Sequence, residues 1–581
     1  MRKINKFITV ILALVVGCVA TACVGKVATN NGESIDYTKS QFYISAYDAG
    51  YGHTWLDMYK QKFEEKYAEH SFESGKKGVQ VVINWNQDAN QALISSMKMS
   101  ENSLFFNSVN YFDLAASGNA MSLDEIIGAD LAEFGEPGKT SVERYPSELI
   151  EYYKVYDNHV YALPMHETYN GVSYDVDLFE ERGFFFASEP NQPNAFTTGL
   201  AGAPAKSKGP DGKPGTYDDG LPATVAQFEA LLNKIVNSNV TPFTFYRGYA
   251  DFLTEALWYN FEGKEQIELN FTFDGVATDI VSSIDQDGNI VGYEKDAGSD
   301  VGLTITDQNA YKLQKQAGIY NALKTVHKIV NNDRTAANNR KYFSTKAWEG
   351  DQTHLTAQEE YLYSNVLDGR TPIAMFIEGT YWQQESRGVF EAINSRYGTN
   401  DEYSIMSRKF AFMPMPFLTA DEVGTRKNTV MSNTAICFAR AGQSGAELDM
   451  TKKFLMMINT EDMLFEYLKS AGFPRSMIMS NITDEQQRAQ LTPFARSLLD
   501  VKANCDIVYT GVTTNRFVLS NSSGDFQFTI NRGGWFFNSS LGAQPIINFR
   551  NTATLTAKAY FDGMYTNFEQ RWSSIYNRYY K

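Results

Sequence analysis

The feature that most constrains the fold is an alternation of short apolar strands and amphipathic helices in the first part of the chain. Three apolar runs have the length and composition of strands: 41–46, 79–85 and 103–109. Four residues after the first run fall at helical spacing: Leu56, Tyr59, Phe63 and Tyr67. An order of strand, loop and helix favours a parallel sheet covered by helices. We therefore predict an α/β fold whose ligand site lies in the loops at the carboxyl ends of the strands.

Charge excludes one broad class of partner. The chain has 52 Lys and Arg residues against 68 Asp and Glu, a net charge of −16. Nucleic-acid binding depends on clustered positive charge that neutralises phosphates, so we expect no nucleic-acid partner. The 43% of hydrophobic residues is enough to build packed cores. With four Cys and six His, the chain has little material for a Cys/His metal site, and we expect no required cofactor.

The N-terminus predicts export. The first six residues carry three positive charges, and the apolar run 7–16 is too short to span a bilayer, a combination typical of a secretory signal peptide. Cys18 and Cys23 each follow a small residue, which resembles the lipobox of bacterial lipoproteins, where the Cys is lipidated and begins the mature chain. Cys23 directly precedes a polar stretch and is preferred as the lipid anchor; Cys18 and an ordinary cleaved signal are the alternatives. We predict a signal peptide over 1–22 and a lipid-anchored tether over 23–40.

One loop has part of a calcium-binding pattern. Asp211, followed by a glycine and, after five more residues, by Asp218, reproduces the turn and the closing carboxylate of an EF-hand loop, and Asp219 could add another oxygen. The positions that usually hold the first acids are occupied by Ser207 and Gly209. A polar surface turn is therefore the competing interpretation. If calcium binds here, we expect it to stiffen the segment.

An ordered series of motifs covers nearly all of residues 41–475. In chain order it comprises the strand, Gly/Asp loop and helix of 42–63, Asp113-Leu-Ala-Ala-Ser-Gly118 before Leu123-Asp-Glu125, Val160-Tyr-Ala-Leu-Pro164, Tyr174-Asp175 with Asp177-Leu-Phe179, Leu221-Pro-Ala-Thr224 before Phe228, 374–379 leading into Tyr381-Trp382, and Phe412-Met-Pro-Met-Pro416 before 434–439. The series resembles the carbohydrate-type extracellular solute-binding proteins of bacterial ABC importers, the maltose-binding-protein-like family. The resemblance fades after about residue 480.

The resemblance implies a periplasmic-binding-protein-like fold, in which two discontinuous α/β lobes are joined by a hinge around a central cleft. We assign the parts as follows: lobe 1 is 41–165 with 435–475, lobe 2 is 168–432 with 476–581, and insertions lie near 183–222 and 264–310. In this family the lobes close around a sugar, and the closed form docks on the importer. Such closure is a hinge motion that a ligand biases by touching both lobes.

The resemblance also places the ligand contacts in cleft loops. An aromatic ring can cover the C–H face of a sugar, while polar side chains bond its hydroxyls. The candidates in the first lobe and at the first crossing are Asp48, Tyr51, Trp55, Asp88, Asn110, Tyr111, Glu167 and Thr168. Those in the second lobe are Arg247, Trp258, Glu378, Tyr381, Trp382 and Trp535. The strongest candidate is the stretch from Glu378 to Trp382, where either Tyr381 or Trp382 takes the place of the family's stacking aromatic.

The expected function is capture of a sugar or oligosaccharide by lobe closure and its delivery to the permease subunits of an ABC importer. We expect a monomer, without catalytic activity, anchored by lipid at the outer face of the cell membrane. Two alternatives stay open. A surface glycoside hydrolase would need a pair of carboxyl groups, and Glu167 and Glu378 could serve in either role. A surface receptor without a transport role is the other alternative, because a fold does not fix a function.

Overall fold

The computed structural model describes residues 34–581 except 49, 87–91, 190–191, 193, 199–204, 338–339, 368, 480–481, 483, 522–543 and 566–567. The predicted signal peptide, the anchor candidates Cys18 and Cys23 and most of the tether lie outside the described residues, as do Asp88 and Trp535. Within them, no helix combines the length and apolar character that crossing a bilayer requires.

The strands and helices of the described residues alternate along much of the chain. The strands are β1 Ser40–Tyr47, β2 Val79–Asn86, β3 Leu104–Asn107, β4 Asp130–Leu131, β5 Glu136–Thr140, β6 Leu163–Pro164, β7 Thr168–Asp175, β8 Thr241–Phe245, β9 Gly275–Ala277, β10 Val281–Ile284, β11 Ile290–Tyr293, β12 Leu303–Ile305, β13 Ile373–Gly379, β14 Phe410–Met413, β15 Thr429–Asn433, β16 Ile436–Ala439 and β17 Asp506–Tyr509. The helices are α1 Thr54–Lys66, α2 Leu93–Ser96, α3 Tyr111–Ala116, α4 Asp124–Ile127, α5 Ser147–Lys154, α6 Val176–Arg182, α7 Val225–Asn237, α8 Phe252–Glu262, α9 Lys264–Thr272, α10 Ala317–Thr335, α11 His354–Ser364, α12 Trp382–Glu385, α13 Arg387–Tyr397, α14 Gly445–Ile458, α15 Glu461–Ala471, α16 Glu485–Arg488, α17 Pro493–Asn504, α18 Arg516–Asn521, α19 Pro545–Asn551, α20 Ala557–Tyr565 and α21 Phe568–Tyr580.

The first sheet has the strand order β2-β1-β3-β16-β6. Strand β1 runs parallel to both β2 and β3, while β16 returns from far along the chain and pairs antiparallel with β3 and β6. Helix α1 packs on this sheet through the predicted apolar stripe, of which Leu56, Tyr59 and Phe63 are fully buried. The predicted parallel, helix-covered arrangement is therefore confirmed for β1 to β3.

The second sheet has the order β17-β15-β7-β13-β8, and β14 also pairs with β7. Every residue of β7 is buried, which fits a central strand covered on both faces. β13 runs antiparallel to β7 and parallel to β8. Among the inserted segments, 264–310 forms two antiparallel strand pairs, β9 with β12 and β10 with β11. The two sheets with their helices form the two lobes of an α/β fold.

Two short segments carry the chain between the sheets. Residues 165–167 connect β6 to β7, and residues 434–435 connect β15 to β16. The chain after α15 lies against the first crossing, since the Glu167 N–H donates to the Pro474 carbonyl at 2.9 Å. These neighbouring segments form the hinge.

The carboxylate of Glu167 is fully buried at this hinge. It accepts hydrogen bonds from Lys502 Nζ at 2.6 Å, the Tyr509 hydroxyl at 2.9 Å and the Tyr169 hydroxyl at 2.5 Å. Three donors therefore occupy its oxygens. The sequence-based assignment of Glu167 to the ligand is corrected by this contact set, because the side chain bonds β7, α17 and the end of β17 instead.

A second buried polar side chain, Asn260 on α8, fixes the helix layer on the second sheet. Its amide donates to the carbonyls of Met415 and Pro416, each at 2.9 Å. Its oxygen accepts from the Thr429 N–H at 3.0 Å and from the Asn428 amide at 3.2 Å. Because the site is fully buried, these groups have no water to replace a lost partner.

We expect Asn260→Ala to lower the free energy of unfolding by about 3 kcal/mol or more, since it leaves several buried backbone and amide groups unpaired. The matched control is Asn237→Ala at the exposed end of α7, which should change stability by less than about 0.5 kcal/mol. Urea unfolding of both variants measures the difference. Equal stability of the two variants would contradict the proposed role of Asn260.

Candidate ligand-binding cleft

A cavity of about 640 Å³ opens between the two lobes. The first lobe lines it with the end of β1 and the loop that follows, and the second lobe with the turn after β8, the start of α11 and α12. The lining residues are Tyr47, Asp48, Gly50, Gly52, His53, Tyr249, His354, Leu355, Gln384 and Glu385. Since β1, β8 and β13 all end at this cavity, it lies at the carboxyl edges of both sheets, where ligands of open α/β sheets bind.

The lobes touch at one side of the cavity. The Gln384 amide donates to the Thr54 hydroxyl at 2.8 Å. The loop after β1 passes so close to α12 that a Cβ at Gly50 would stand 2.0 Å from Glu385 Oε1, and one at Gly52 2.8 Å from Gln384 Nε2. Both glycines also have positive φ values, of 81° and 70°, which other residues adopt only with strain. The positive φ values therefore favour glycine at both positions, while the atoms that a Cβ would meet belong to the flexible side chains of Glu385 and Gln384.

Carboxyl groups reach the cavity from both lobes. Asp48 lies 3.1 Å from His53 Nε2, and the His53 ring stacks on Trp85 with centroids 3.8 Å apart. On the other side, Glu385 accepts a hydrogen bond from Gln358 and lies 3.9 Å from His354 Nε2. Burial raises the pKa of Glu385 to about 7, and the negative charge of Asp48 adds to the rise. Glu385 is therefore about half protonated at neutral pH.

A third carboxyl group, Glu378, stands at the end of β13 and is fully buried. Its Oε1 accepts from the Gly379 N–H at 3.0 Å, and its Oε2 has no hydrogen-bond partner in the described structure. Burial, and then the charge of Glu385, raise the pKa of Glu378 well above its usual range. Its position at the end of β13 therefore disfavours the ionised form of Glu378.

Phenol rings from both lobes lie beside these acids. Tyr51 of the first lobe meets Tyr381 of the second edge to face, with centroids 6.3 Å apart, and also packs on His166 at 4.1 Å. A side-chain hydrogen bond joins Tyr381 and Tyr249, which is a cavity-lining residue. The cleft therefore combines aromatic surface with carboxyl, imidazole and hydroxyl groups, the combination that a polyhydroxylated ligand requires.

The structure brings only part of the sequence-predicted set to this cleft. Asp48 lines the cavity, and Tyr51, Glu378 and Tyr381 stand beside it. Arg247 is half-buried on the same turn as Tyr249 but does not line the cavity. Several lining residues were missed by the sequence reasoning: Tyr47, His53, Tyr249, His354, Gln384 and Glu385. Among these, His53 and Tyr249 follow strand ends, a signal that could have found them.

Three predicted stacking rings belong to the core instead. Trp55, Trp258 and Trp382 are 0%, 4% and 0% exposed. Trp382 packs against Phe410 at 5.2 Å and donates from its indole nitrogen to the Ser173 hydroxyl at 3.1 Å. The structure therefore places all three rings in the core, where Trp258 also lines a small cavity of about 30 Å³, and their contact with a ligand stays a prediction.

Three further predicted contacts have local partners or are enclosed. Asn110 caps α3, since its side chain accepts from the Asp113 N–H at 2.9 Å. Tyr111 is buried and donates its hydroxyl to the Tyr153 carbonyl. Thr168, the first residue of β7, is 1% exposed. Capping and packing thus explain Asn110 and Tyr111, whereas the Thr168 hydroxyl has no hydrogen-bond partner in the described structure and its assignment to the ligand stays a prediction.

The predicted calcium loop folds around a hydroxyl group. The Thr216 oxygen lies 2.8 Å from Asp218 Oδ1 and 3.3 Å from one oxygen each of Asp211 and Asp219. Burial raises the pKa of Asp218 to about 6. In the part of the chain that the structure describes, no group of three or more His, Cys, Asp or Glu side chains is arranged to hold a metal ion. Calcium binding here stays a prediction, and absence of uptake in an equilibrium titration at millimolar calcium would exclude it.

Comparison with known proteins supports the fold. No family model and no curated protein matches the sequence. Among solved structures, a chitin oligosaccharide binding protein is similar over 91% of this chain and 99% of its own, with 13% identity and a TM-score of 0.50. A cyclic alpha-maltosyl-1,6-maltose binding protein from Arthrobacter globiformis matches over 93% and 100%, with 12% identity and a TM-score of 0.49. The predicted resemblance is thereby confirmed at the level of the fold.

The core position of Trp382 leads to a stability prediction. We expect Trp382→Ala to cost about 3–5 kcal/mol of unfolding free energy, because it opens a large cavity among packed aromatic rings. Tyr381→Ala, one residue earlier, should cost clearly less, because Tyr381 is only half-buried. Urea unfolding of both variants measures the contrast. A Trp382→Ala variant no less stable than Tyr381→Ala would contradict the core assignment.

Proposed function

We propose that this chain is an extracytoplasmic binding protein that captures a sugar or oligosaccharide between its lobes and delivers it to an ABC importer. The observation that carries this proposal is the cavity at the carboxyl edges of both sheets, which takes side chains from both lobes. A similar fold in a chitin oligosaccharide binding protein supports it.

The cleft supplies what capture by closure requires. A ligand in contact with Asp48 and His53 on one side and with Tyr249 and Glu385 on the other binds the closed form more tightly than an open one. Differential affinity of this kind is what shifts a hinge equilibrium towards closure. The closed form is then the one that permease subunits recognise.

We also propose the cellular setting. The sequence pattern supports removal of residues 1–22, attachment of lipid to Cys23 and a tether to residue 40, which would hold a monomeric chain at the outer face of the membrane. Catalysis is not part of the proposal. Of the two carboxyl groups considered for hydrolysis, Glu167 is bonded by three donors at the hinge.

The direct test is thermal unfolding of the purified protein against a panel of oligosaccharides. A ligand bound only by the native state at about 100 times its Kd adds about 2.7 kcal/mol of stability and raises the Tm. We expect a subset of the panel to do so without being hydrolysed. If no glycan raised the Tm, or if a glycan were turned over, the proposal would fail.

Site assignment is tested with matched variants. Asp48→Asn should weaken the best ligand by about tenfold or more, since it removes a charged acceptor from the cleft. Asp287→Asn, an exposed position in the turn between β10 and β11, should leave the affinity unchanged. Calorimetric titration of both variants with the same glycan gives the comparison. Equal affinities would place the ligand elsewhere.

A further inference from the structure

The cleft has an unusual balance of charge. Asp48 from the first lobe and Glu385 from the second both line it, and none of the described lining residues is Lys or Arg. The lobes approach so closely here that a Cβ at Gly50, two residues after Asp48, would collide with Glu385 Oε1. Two carboxyl groups from opposite lobes therefore line the same cavity.

Closure of the lobes brings these like charges together at a cost. The cost is visible in Glu385, whose pKa is raised by burial and further by the Asp48 charge. Behind it, the buried Glu378 has an oxygen without a partner in the described structure. A neutral ligand does not stabilise the ionised forms of both acids, whereas a positive group between the lobes would do so.

The other groups that face Glu385 do not neutralise it. Gln358 donates one hydrogen bond, Tyr249 is uncharged, and Tyr381 is bonded to Tyr249. Burial lowers the pKa of His354, which disfavours the charged form of this ring. On the Asp48 side, the side chain of His53 is 45% exposed, where solvent weakens its interaction with the carboxylate.

A bound metal ion is a poor match for this charge. Within the described residues, no cluster of three or more metal-ligating side chains is present, in the cleft or elsewhere. A positive group carried by the ligand would complement both carboxylates. An ammonium group has three donors, which suits carboxylate oxygens on both sides of a closed cleft.

Resting on the proposed function, we infer that the natural ligand is a glycan with a free, positively charged amino group, and that this ammonium lies between Asp48 and Glu385 in the closed state. The same arrangement rejects glycans with carboxylate or sulfate groups. Because the ammonium bonds to both lobes, it ties recognition of the ligand to closure.

The test compares glycans that differ only at the amino group. Oligomers of glucosamine and their N-acetylated forms are titrated calorimetrically into the full-length mature protein, together with a neutral hexose oligomer, an oligouronide and a polyamine without sugar. We expect the amino form to bind about tenfold or more tightly than its acetylated partner, and the oligouronide not to bind.

Matched variants connect this preference to the cleft. Glu385→Gln should remove the preference for the amino form, while Glu391→Gln, an exposed position on the next helix, should keep it. Asp48→Asn is the second variant, used if Glu385→Gln does not fold. If the preference for the amino form were lost in both Glu385→Gln and Glu391→Gln, or in neither of them, the assignment of the ammonium to Asp48 and Glu385 would be overturned.

Proton linkage gives an independent readout. Because the ammonium binds the ionised form of Glu385, affinity expressed per protonated ligand should fall as the pH is lowered from about 7 to about 5. Binding near pH 7 should release protons from Glu385, counted after subtracting the protons that the amino group of the glycan takes up, which a titration of the glycan alone gives. The acetylated oligomer should show neither effect. Heats measured in two buffers of different ionisation enthalpy report the released protons.

The outcomes separate this inference from the proposed function. If acetylated, neutral or acidic glycans bound as tightly as the amino form, the inference would be wrong while glycan capture stood. If no glycan of any charge bound, or if the polyamine bound as well as the amino glycan, capture of a glycan would itself be contradicted.

Discussion

The buried carboxylate of Glu167 is the contact on which the arrangement of the two lobes depends. A charge removed from water is tolerated only when donors surround it, and here a lysine and two tyrosine hydroxyls do so at 2.5–2.9 Å. These donors come from α17, β17 and β7, so one side chain on the first crossing fixes several elements of the second lobe. The edges at which β1 and β13 end then face each other, and the cleft follows from that alignment.

The carboxyl groups at the cleft, in contrast to Glu167, have few hydrogen-bond donors. Glu378 has an oxygen without a partner in the described structure, and Glu385 has one hydrogen bond, from Gln358, with the charge of Asp48 across the gap. Groups in this condition cost stability, and such costs are concentrated at binding sites because a ligand can relieve them. Glu167 and Glu378 are thus both buried glutamates in different settings. Three donors surround Glu167 and fit a structural role, whereas the oxygen of Glu378 without a partner fits a position beside a binding site.

Sequence reasoning recovered the parts that depend on local pattern. The strand and helix around β1 and α1, the segment 221–224 directly before a helix with Phe228, and the strand near 434–439 are all present. It failed where the direction of a single side chain determines whether the residue lies at the cleft or in the core. In the stretch after β13, Tyr381 reaches the phenol cluster while its neighbour Trp382 turns into the core. Glu385 was not identified because one acid among 68 has no distinguishing pattern in sequence.

The core position of the three tryptophans has a physical cause. Three large rings were assigned to a sugar because an aromatic face suits its C–H surface, yet burying such a ring in the core removes more apolar area from water than a solvent-facing cleft does. Tyrosines occupy both settings: Tyr51, Tyr249 and Tyr381 lie at or beside the cleft, whereas Tyr59 and Tyr361 are fully buried in the core. In a chain with 34 Tyr and 7 Trp, ring type alone therefore does not identify the cleft, and position after a strand end is the better guide.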